Sequence, residues 1–188
     1  WSHGDDEIFS RAQFLEWCNL DHLGRSAAQF DEAKLRWVNA QHLKAMADEQ
    51  LATLVAEQLA RQGVTADERL PAICGLFKDR CDTTVALAGW ARAFYADVQI
   101  SEADRAQHLT DAVKPAVATL ADKLEGVSWD KAAIAAAIKE TLAAHGLKMP
   151  QLAMPVRVLV MGTPQTPSLD SVLALFDREK ISKRLREV

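Results

Sequence analysis

The chain has 188 residues, of which 49% are hydrophobic and 26% are charged, and its formal net charge is −4. These values are ordinary for a globular protein, and they argue against a generally basic nucleic-acid binder and against a membrane span. The three cysteines and five scattered histidines have no spacing that predicts a disulfide framework or a zinc site.

Helix signals follow one another along almost the whole chain. We predict a first helix capped by Asp5 or Asp6 and a second that begins at Asp31. A third should begin at Asp48 and end at Gly63. Carboxylates suit the starts because they accept hydrogen bonds from the free amides of a first turn, and glycine suits the ends because it tolerates a left-handed conformation.

The later helix signals are equally regular. They are a capping box at Thr65 and Glu68, a cap at Asp82 or Thr83, a start at Ser101, an interruption at Pro115, an end at Gly126, a start at Ser128 and an end at Gly146. No convincing alternating strand is present, so we predict an all-α array of about ten helices. A soft boundary near residues 96–101 divides it into two helical subdomains, with Trp37 and Trp90 expected in the core.

One apolar segment, residues 154–162, carries a single arginine, Arg157, and ends at Gly162. Its residues 156–161 are β-prone, but the helical context predicts a helix. Pro164 and Pro167 stiffen the following loop, and Ser168 is a suitable N-cap for the next helix. A stiff loop beside an arginine at a helix N-terminus can bind a polar ligand, although an ordinary helix–turn–helix connection is the commoner explanation.

The basic residues gather toward the end of the chain. Residues 146–188 contain seven basic and four acidic residues, so this segment is net +3 and the remainder is −7. A small basic end on an acidic body fits local contact with a nucleic acid rather than strong phosphate-driven binding. A solvated charged tail would have the same composition.

Five segments keep a recognisable order along the chain. They are residues 1–10 (Trp-Ser-His-Gly-Asp-Asp-Glu-Ile-Phe-Ser), the Phe-Asp…Lys-Leu…Trp…Asn helix at 30–39, the Arg-x-x-Thr turn at 80–83, Gly-Leu-Lys-Met at 146–149, and the segment 154–170. Together they resemble the anticodon-binding end of bacterial glutamyl-tRNA synthetases. No single motif is decisive, but the ordered set is specific and spans the chain.

The resemblance implies an architecture and a role. Residues 1–44 would end a tRNA stem-contact region, and residues 45–96 and 97–188 would be a first and a second helical anticodon-binding subdomain. The whole enzyme would activate glutamate with ATP and Mg and attach it to tRNA(Glu) in the cytoplasm, with no need for more than a monomer. This chain, which starts at Trp1, would be a fragment without the catalytic half and without a cofactor, and its partner would be tRNA(Glu) rather than DNA or a membrane.

Arg80 is the sharpest site residue that the resemblance implies. In the family, the arginine of this turn reads the third anticodon base, a cytosine, which glutamine tRNA replaces with guanine. The chemistry is consistent, because unpaired cytosine offers two adjacent acceptors and a guanidinium offers parallel donors in a rigid fork. Without the resemblance, Arg80 would be an ordinary surface arginine.

The resemblance also implies a surface for the first two anticodon bases. Its residues would be Arg157, Thr166, Pro167, Ser168 and Leu169. Hydroxyl and main-chain groups can hydrogen-bond splayed bases, and Pro167 and Leu169 can pack on base faces. Two alternatives remain open. One is that Leu169 packs in the core, and the other is that Arg157 pairs with Asp170 or with helix-end carbonyls.

Residues 180–184, Lys-Ile-Ser-Lys-Arg, resemble the ATP-binding loop of class I synthetases. The chain lacks the nucleotide-binding α/β fold and the His-x-Gly-His partner of that loop. We therefore predict an amphipathic helix whose basic residues face solvent or tRNA. No other catalytic motif is present.

Three other functions remain as alternatives. They are a non-catalytic helical protein-interaction domain, a helix-turn-helix DNA binder, and a relative that charges both glutamate and glutamine tRNAs. Arg80 argues against the last of these.

Overall fold

A computed structural model describes residues 3–22, 27 and 29–187 of the chain. The described part contains eleven α-helices and two short 3₁₀ turns, and it contains no strand. The helices are α1 Arg11–Trp17, α2 Glu32–Ala45, α3 Asp48–Ala60, α4 Leu70–Phe77, α5 Thr84–Tyr95, α6 Glu102–His108, α7 Lys114–Gly126, α8 Lys131–His145, α9 Met149–Met161, α10 Leu169–Ala174 and α11 Arg178–Leu185. The 3₁₀ turns are Leu20–His22 and Lys78–Arg80. The all-α prediction is confirmed.

Helices α3 to α5 pack on one another, and α7 packs on both α8 and α11. Helix α9 joins these groups, because it contacts α5, α6, α7 and α11. The buried apolar side chains form one continuous core from Leu43 to Leu185. The stacked rings of Phe94 and Phe176, with centroids 4.1 Å apart, lie where the first half of the chain meets the second.

Several local signals are confirmed by the helix ends. Asp31 and Thr83 are N-caps whose side chains accept a hydrogen bond from the third amide of their helices. Pro115 lies in the first turn of α7 and separates it from α6. Gly146 ends α8 in the left-handed conformation. Residues 156–161 are helical, as predicted.

Other local signals were wrong. The first helix is capped by Ser10, in a capping box with Gln13, instead of by Asp5 or Asp6. Thr65 and Glu68 form no capping box, because α4 begins only at Leu70. Asp130, two residues after the predicted Ser128, caps α8. For α1 and α8, another capping residue close in sequence makes the hydrogen bond, whereas α4 begins after Arg69 without a side-chain capping bond.

The two tryptophans assigned to the core differ. Trp90 packs against the core, with its ring 5.3 Å from that of Phe77. Trp37, by contrast, is 45% exposed on α2, so its assignment was wrong. Apolar residues recur at helical spacing along α2, but only Leu43 among the residues of this helix is buried. The first two residues of the 1–10 segment and Val188 lie outside the described residues.

Candidate nucleic-acid interface

Arg80 ends the 3₁₀ turn that follows α4. The next residue, Cys81, is buried at 4% exposure, and Thr83 then caps α5. Since the chain turns Cys81 into the core, the neighbouring Arg80 side chain lies at the surface. Two contacts anchor the start of this turn, because the Lys78 amine donates to the Met46 carbonyl at 3.0 Å and lies 2.8 Å from the Asp48 carboxylate.

Arg157 lies in the last two turns of α9 and is half-buried. The helix ends at Gly162, where φ is +74°. A Cβ at this position would lie 2.8 Å from the carbonyl oxygen of Gln99. Glycine is therefore required twice, by the left-handed turn and by the close approach of another main chain. This turn directs the loop 163–168 across the end of α9.

The loop 163–168 is held by its own hydroxyl groups. Thr166 is 6% exposed, and its hydroxyl donates to the Pro167 carbonyl at 3.0 Å. Ser168 is the N-cap of α10 by position, as predicted, but its hydroxyl bonds to the Ser171 hydroxyl at 2.8 Å and makes no capping bond to the main chain. The first amides of α10 therefore have no side-chain acceptor from Ser168.

Both arginines donate hydrogen bonds to main-chain carbonyls of this loop. The Arg80 Nη2 donates to the Thr166 carbonyl at 3.5 Å, and the Arg157 Nη2 donates to the Pro167 carbonyl at 3.2 Å. The turn after α4, the end of α9 and the loop before α10 therefore meet at one place. We call Arg80, Arg157 and loop 163–168 the recognition cluster.

The electrostatics of the recognition cluster are unusual for two adjacent arginines. Among the described residues, no carboxylate forms an ion pair with Arg80 or Arg157. The pKa of Arg157 is lowered, first by burial and then by the positive charge of Arg80. The Arg157 Nε is buried and has no hydrogen-bond partner among the described residues. An unneutralised pair of this kind favours an incoming ligand with acceptor oxygens or nitrogens.

The alternatives left open for Arg157 and Leu169 can now be compared with the structure. Asp170 lies 3.9 Å from Lys131 instead of pairing with Arg157, which bonds the Pro167 carbonyl. Leu169 is 4% exposed and belongs to the core. Its side chain would have to turn outward to pack on a base, so its predicted place at this surface depends on its main chain.

A cleft of about 270 Å³ lies beside the cluster. Its polar lining residues are Arg157, Ser168 and Asp170, and its apolar lining residues are Ala135, Ile138, Met149 and Leu169. A lining that combines polar groups with apolar side chains suits a flat ring with hydrogen-bonding edges. Ser168 is exposed, and Pro167, the residue before it, is partly exposed.

The prediction for residues 180–184 was wrong about the direction of Lys180 and Arg184, whereas Lys183 is exposed as predicted. Arg184 is 5% exposed, and its guanidinium donates to the carbonyls of Ala93, Ala96 and Val160. Lys180 donates to the Phe94 carbonyl at 2.8 Å. These carbonyls belong to the last turns of α5 and α9, where a helix leaves acceptors unpaired.

The arginines that flank this segment are used in the same way. Arg178 donates to the carbonyls of Glu125 and Val127 at the end of α7, at 2.9 and 2.6 Å. Arg186 pairs with Asp122 and Glu125 at 3.1 and 2.7 Å. Amphipathic spacing could not reveal these bonds, because the acceptors lie 24 to 91 residues away in sequence. The basic C-terminal helix therefore holds the fold together.

Within the described ranges, no helix is long and apolar enough to cross a membrane. The same part of the chain contains no group of three or more His, Cys, Asp or Glu side chains that could hold a metal ion.

Comparisons with known proteins show which family the chain belongs to. Residues 38–188 match the family described as anticodon binding domain. The chain is 70% identical to glutamate–tRNA ligases of Albidiferax ferrireducens and Paracidovorax citrulli, over 99% of this chain and 40% of each relative. The chain thus spans about 40% of the length of these relatives and corresponds to their C-terminal part.

Solved structures show the same fold. A glutamate tRNA ligase from Elizabethkingia meningosepticum, crystallised in complex with its amino acid, superposes with a TM-score of 0.86 at 22% identity, over 97% of this chain and 37% of that one. The glutamate-tRNA synthetase of Elizabethkingia anophelis gives 0.83 at 23% identity, over 100% and 37%. With the family match covering most of its length, this chain belongs to the anticodon-binding domain family and corresponds to the C-terminal, anticodon-binding part of a glutamate–tRNA ligase.

Proposed function

We propose that this chain reads the anticodon of tRNA(Glu) for an enzyme that activates glutamate with ATP and joins it to that tRNA. The observation that carries the proposal is the recognition cluster, in which two arginines that pair with no described carboxylate converge on one loop. Arg80 would read the third anticodon base, and Arg157 with residues Thr166, Pro167, Ser168 and Leu169 would contact the first two. ATP and Mg would bind in the remainder of the enzyme, which would act as a cytoplasmic monomer.

The specificity of Arg80 follows from the pairing edges of the bases. Cytosine presents N3 and O2 as adjacent acceptors, which match two N–H groups of a guanidinium. Guanine presents N–H donors at the same edge, so donors would face donors and remain unpaired. An enzyme with this arginine would therefore reject glutamine tRNA.

The division of labour along the chain is part of the proposal. Residues 45–96 would supply Arg80, and residues 97–188 would supply Arg157 and the loop, so the reading surface lies between two helical subdomains. Residues 1–44 would end the stem-contact region. In the described part of this region, seven large apolar side chains are exposed (Ile8, Phe14, Leu15, Leu20, Phe30, Leu35 and Trp37). The same exposure favours the second candidate function, a helical protein-interaction domain.

Binding of the chain to an anticodon stem-loop of tRNA(Glu), at low and moderate salt, tests the proposal. We expect a preference for cytosine over guanine at the third anticodon position that persists as salt rises, because base contacts lose less to screening than phosphate contacts. Binding that ignores the base and fades with salt would contradict base reading. No binding under any condition, with association to a protein partner instead, would favour the second candidate function.

A further inference from the structure

We infer that α2 positions Arg80, through a contact that sets the discrimination at the third anticodon base. Three residues form this contact, Arg36 and Asn39 on α2 and Asp82 in the turn after Arg80, and we call them the α2 clamp. The inference rests on the proposed function of Arg80. It assigns a positioning role to two residues that lie outside the recognition cluster.

Arg36 and Asn39 contact both the side chain and the main chain of Asp82. The Asn39 Nδ2 donates to the Asp82 main-chain carbonyl, and the Arg36 Nη1 lies 3.1 Å from the Asp82 carboxylate. Positions 36 and 39 are three residues apart, so both side chains lie on one face of the helix. Glu32, one turn earlier, accepts from the Arg36 Nε at 3.0 Å and orients the guanidinium.

Arg80 lies between this clamp and a second anchor. On its N-terminal side, Lys78 is fixed by the Met46 carbonyl and the Asp48 carboxylate. On its C-terminal side, Asp82 is fixed by α2, and Thr83 caps α5. A guanidinium fork discriminates between bases only while its direction is held, because a shift of about 1 Å disrupts paired hydrogen bonds. The clamp supplies one of the two constraints.

The sequence contained both halves of this contact as separate motifs. The segment at residues 30–39 ends at Asn39, and the turn at residues 80–83 begins at Arg80. No role followed from the first motif alone. Asparagine is a poorer helix former than alanine, so an asparagine inside α2 costs helix stability unless its side chain is used elsewhere. The bond to Asp82 is that use.

The test compares Asn39→Ala with Gln41→Ala. Both changes remove a side-chain amide from α2 and place alanine there, but Gln41 makes no side-chain hydrogen bond to another described residue. Because alanine favours helix, a weaker α2 cannot explain an effect of Asn39→Ala. Each variant is measured as the 188-residue chain, alone and in the Arg80→Ala background.

The first readout needs no RNA. Cys81 and Cys74 are both buried, and burial raises the pKa of the Cys81 thiol to about 11 and of the Cys74 thiol to about 12. Alkylation rates at the two thiols, separated by peptide mass spectrometry, therefore report opening of the turn and of the core respectively. We expect Asn39→Ala to raise the Cys81 rate severalfold while the Cys74 rate stays constant.

The second readout is the ratio of stem-loop affinities for cytosine and guanine at the third anticodon position. We expect Asn39→Ala to lower this ratio about threefold to tenfold, as for loss of one hydrogen bond, and Gln41→Ala to leave it unchanged. In the Arg80→Ala background, Asn39→Ala should have no further effect on the ratio, since a residue that acts through Arg80 has nothing left to position.

The outcomes separate this inference from the proposed function. An unchanged Cys81 rate, or an unchanged affinity ratio in a wild type that discriminates, would overturn the α2 clamp. An Asn39→Ala effect that persists without Arg80 would also overturn it. A wild-type chain that binds without discrimination would overturn the proposed role of Arg80, and a raised Cys81 rate would then show the clamp to be structural only.

Discussion

Arg157 and Arg184 both enter the protein from helices of the second half, but their guanidinium groups meet different surroundings. Arg184 donates to three carbonyls at the ends of α5 and α9. Arg157 donates to one loop carbonyl, keeps a buried Nε without a partner among the described residues, and lies beside the charge of Arg80. Burial lowers the pKa of both arginines, so burial alone does not distinguish them.

Arg157 and Arg184 differ in the groups that accept hydrogen bonds from their N–H donors. In the basic C-terminal helix, helix-end carbonyls and carboxylates already accept from most of the cations, so little hydrogen-bonding capacity remains for a ligand. In the recognition cluster, N–H donors remain available for a ligand, and no described carboxylate offsets the repulsion between the two positive charges. Open donors that cost stability are typical of a binding site, whereas satisfied donors are typical of a structural one.

The largest effect should come from Arg184→Ala. Three carbonyls would lose a buried charged donor, and we expect a loss of about 3 kcal/mol in the free energy of unfolding. For a chain of this length that is a fall of about 6–12 °C in Tm. Urea and thermal unfolding measure both, with the exposed neighbour Lys183→Ala as the control that should change neither. A loss no larger than that of the control would mean that Arg184 does not hold α5 and α9 together.

Arg157→Met should lower affinity rather than stability, which is the opposite of the effect expected for Arg184→Ala. Methionine keeps the apolar stem and removes the half-buried charge, so we expect unchanged or slightly higher stability. Affinity for the tRNA(Glu) stem-loop should fall about tenfold or more, the value of a charged hydrogen bond. Arg178→Met, which removes two bonds to α7 carbonyls, should lower stability and leave the affinity of the folded chain nearly unchanged. The reverse order of affinity loss would contradict the assignment.

Arg80→Gln should act on selectivity more than on binding. Glutamine offers both a donor and an acceptor, so it tolerates guanine as well as cytosine. We expect the ratio of affinities for the two stem-loops to fall about tenfold, within the range for a paired hydrogen-bond contact to a base edge. Equal ratios in the variant and the wild type would remove Arg80 from the reading surface.

The smallest effect concerns pH. Asp67 lies 2.6 Å from Arg69, which also pairs with Asp177 at the start of α11, and the Arg69 hydrogen bond lowers the pKa of Asp67 below 3.8. A carboxyl whose pKa is lowered on folding adds stability above its unfolded pKa, and this contribution is lost as pH falls through the folded value. We expect Asp67→Asn to flatten the acid loss of stability below about pH 4.

The recognition cluster should not share this acid response, because no described carboxylate pairs with its arginines. Stem-loop affinity measured above the acid transition should therefore be the same for Asp67→Asn and the wild type. A pH-dependent affinity difference between them would show that the two regions are coupled.

The predicted helix boundaries show where local chemistry is sufficient to determine the start or end of a helix. Asp31, Thr83, Pro115 and Gly146 mark helix boundaries correctly, since a cap or a fixed φ acts within one turn of its own residue. Ser128 fails because a competing acceptor, Asp130, lies two residues away. Trp37 fails because helical spacing gives a face and does not say what covers it.

By itself, the sequence determined the all-α architecture, most helix boundaries and, through ordered motifs, the family. Only the tertiary structure decided which basic residues are available for binding. Arg80 reaches a carbonyl 86 residues away, and Arg184 reaches carbonyls 24 to 91 residues away. In the sequence, charge and local spacing do not distinguish Arg80 from Arg184. In the fold, the acceptors around each side chain make Arg80 a candidate reader of RNA and Arg184 a part of the core.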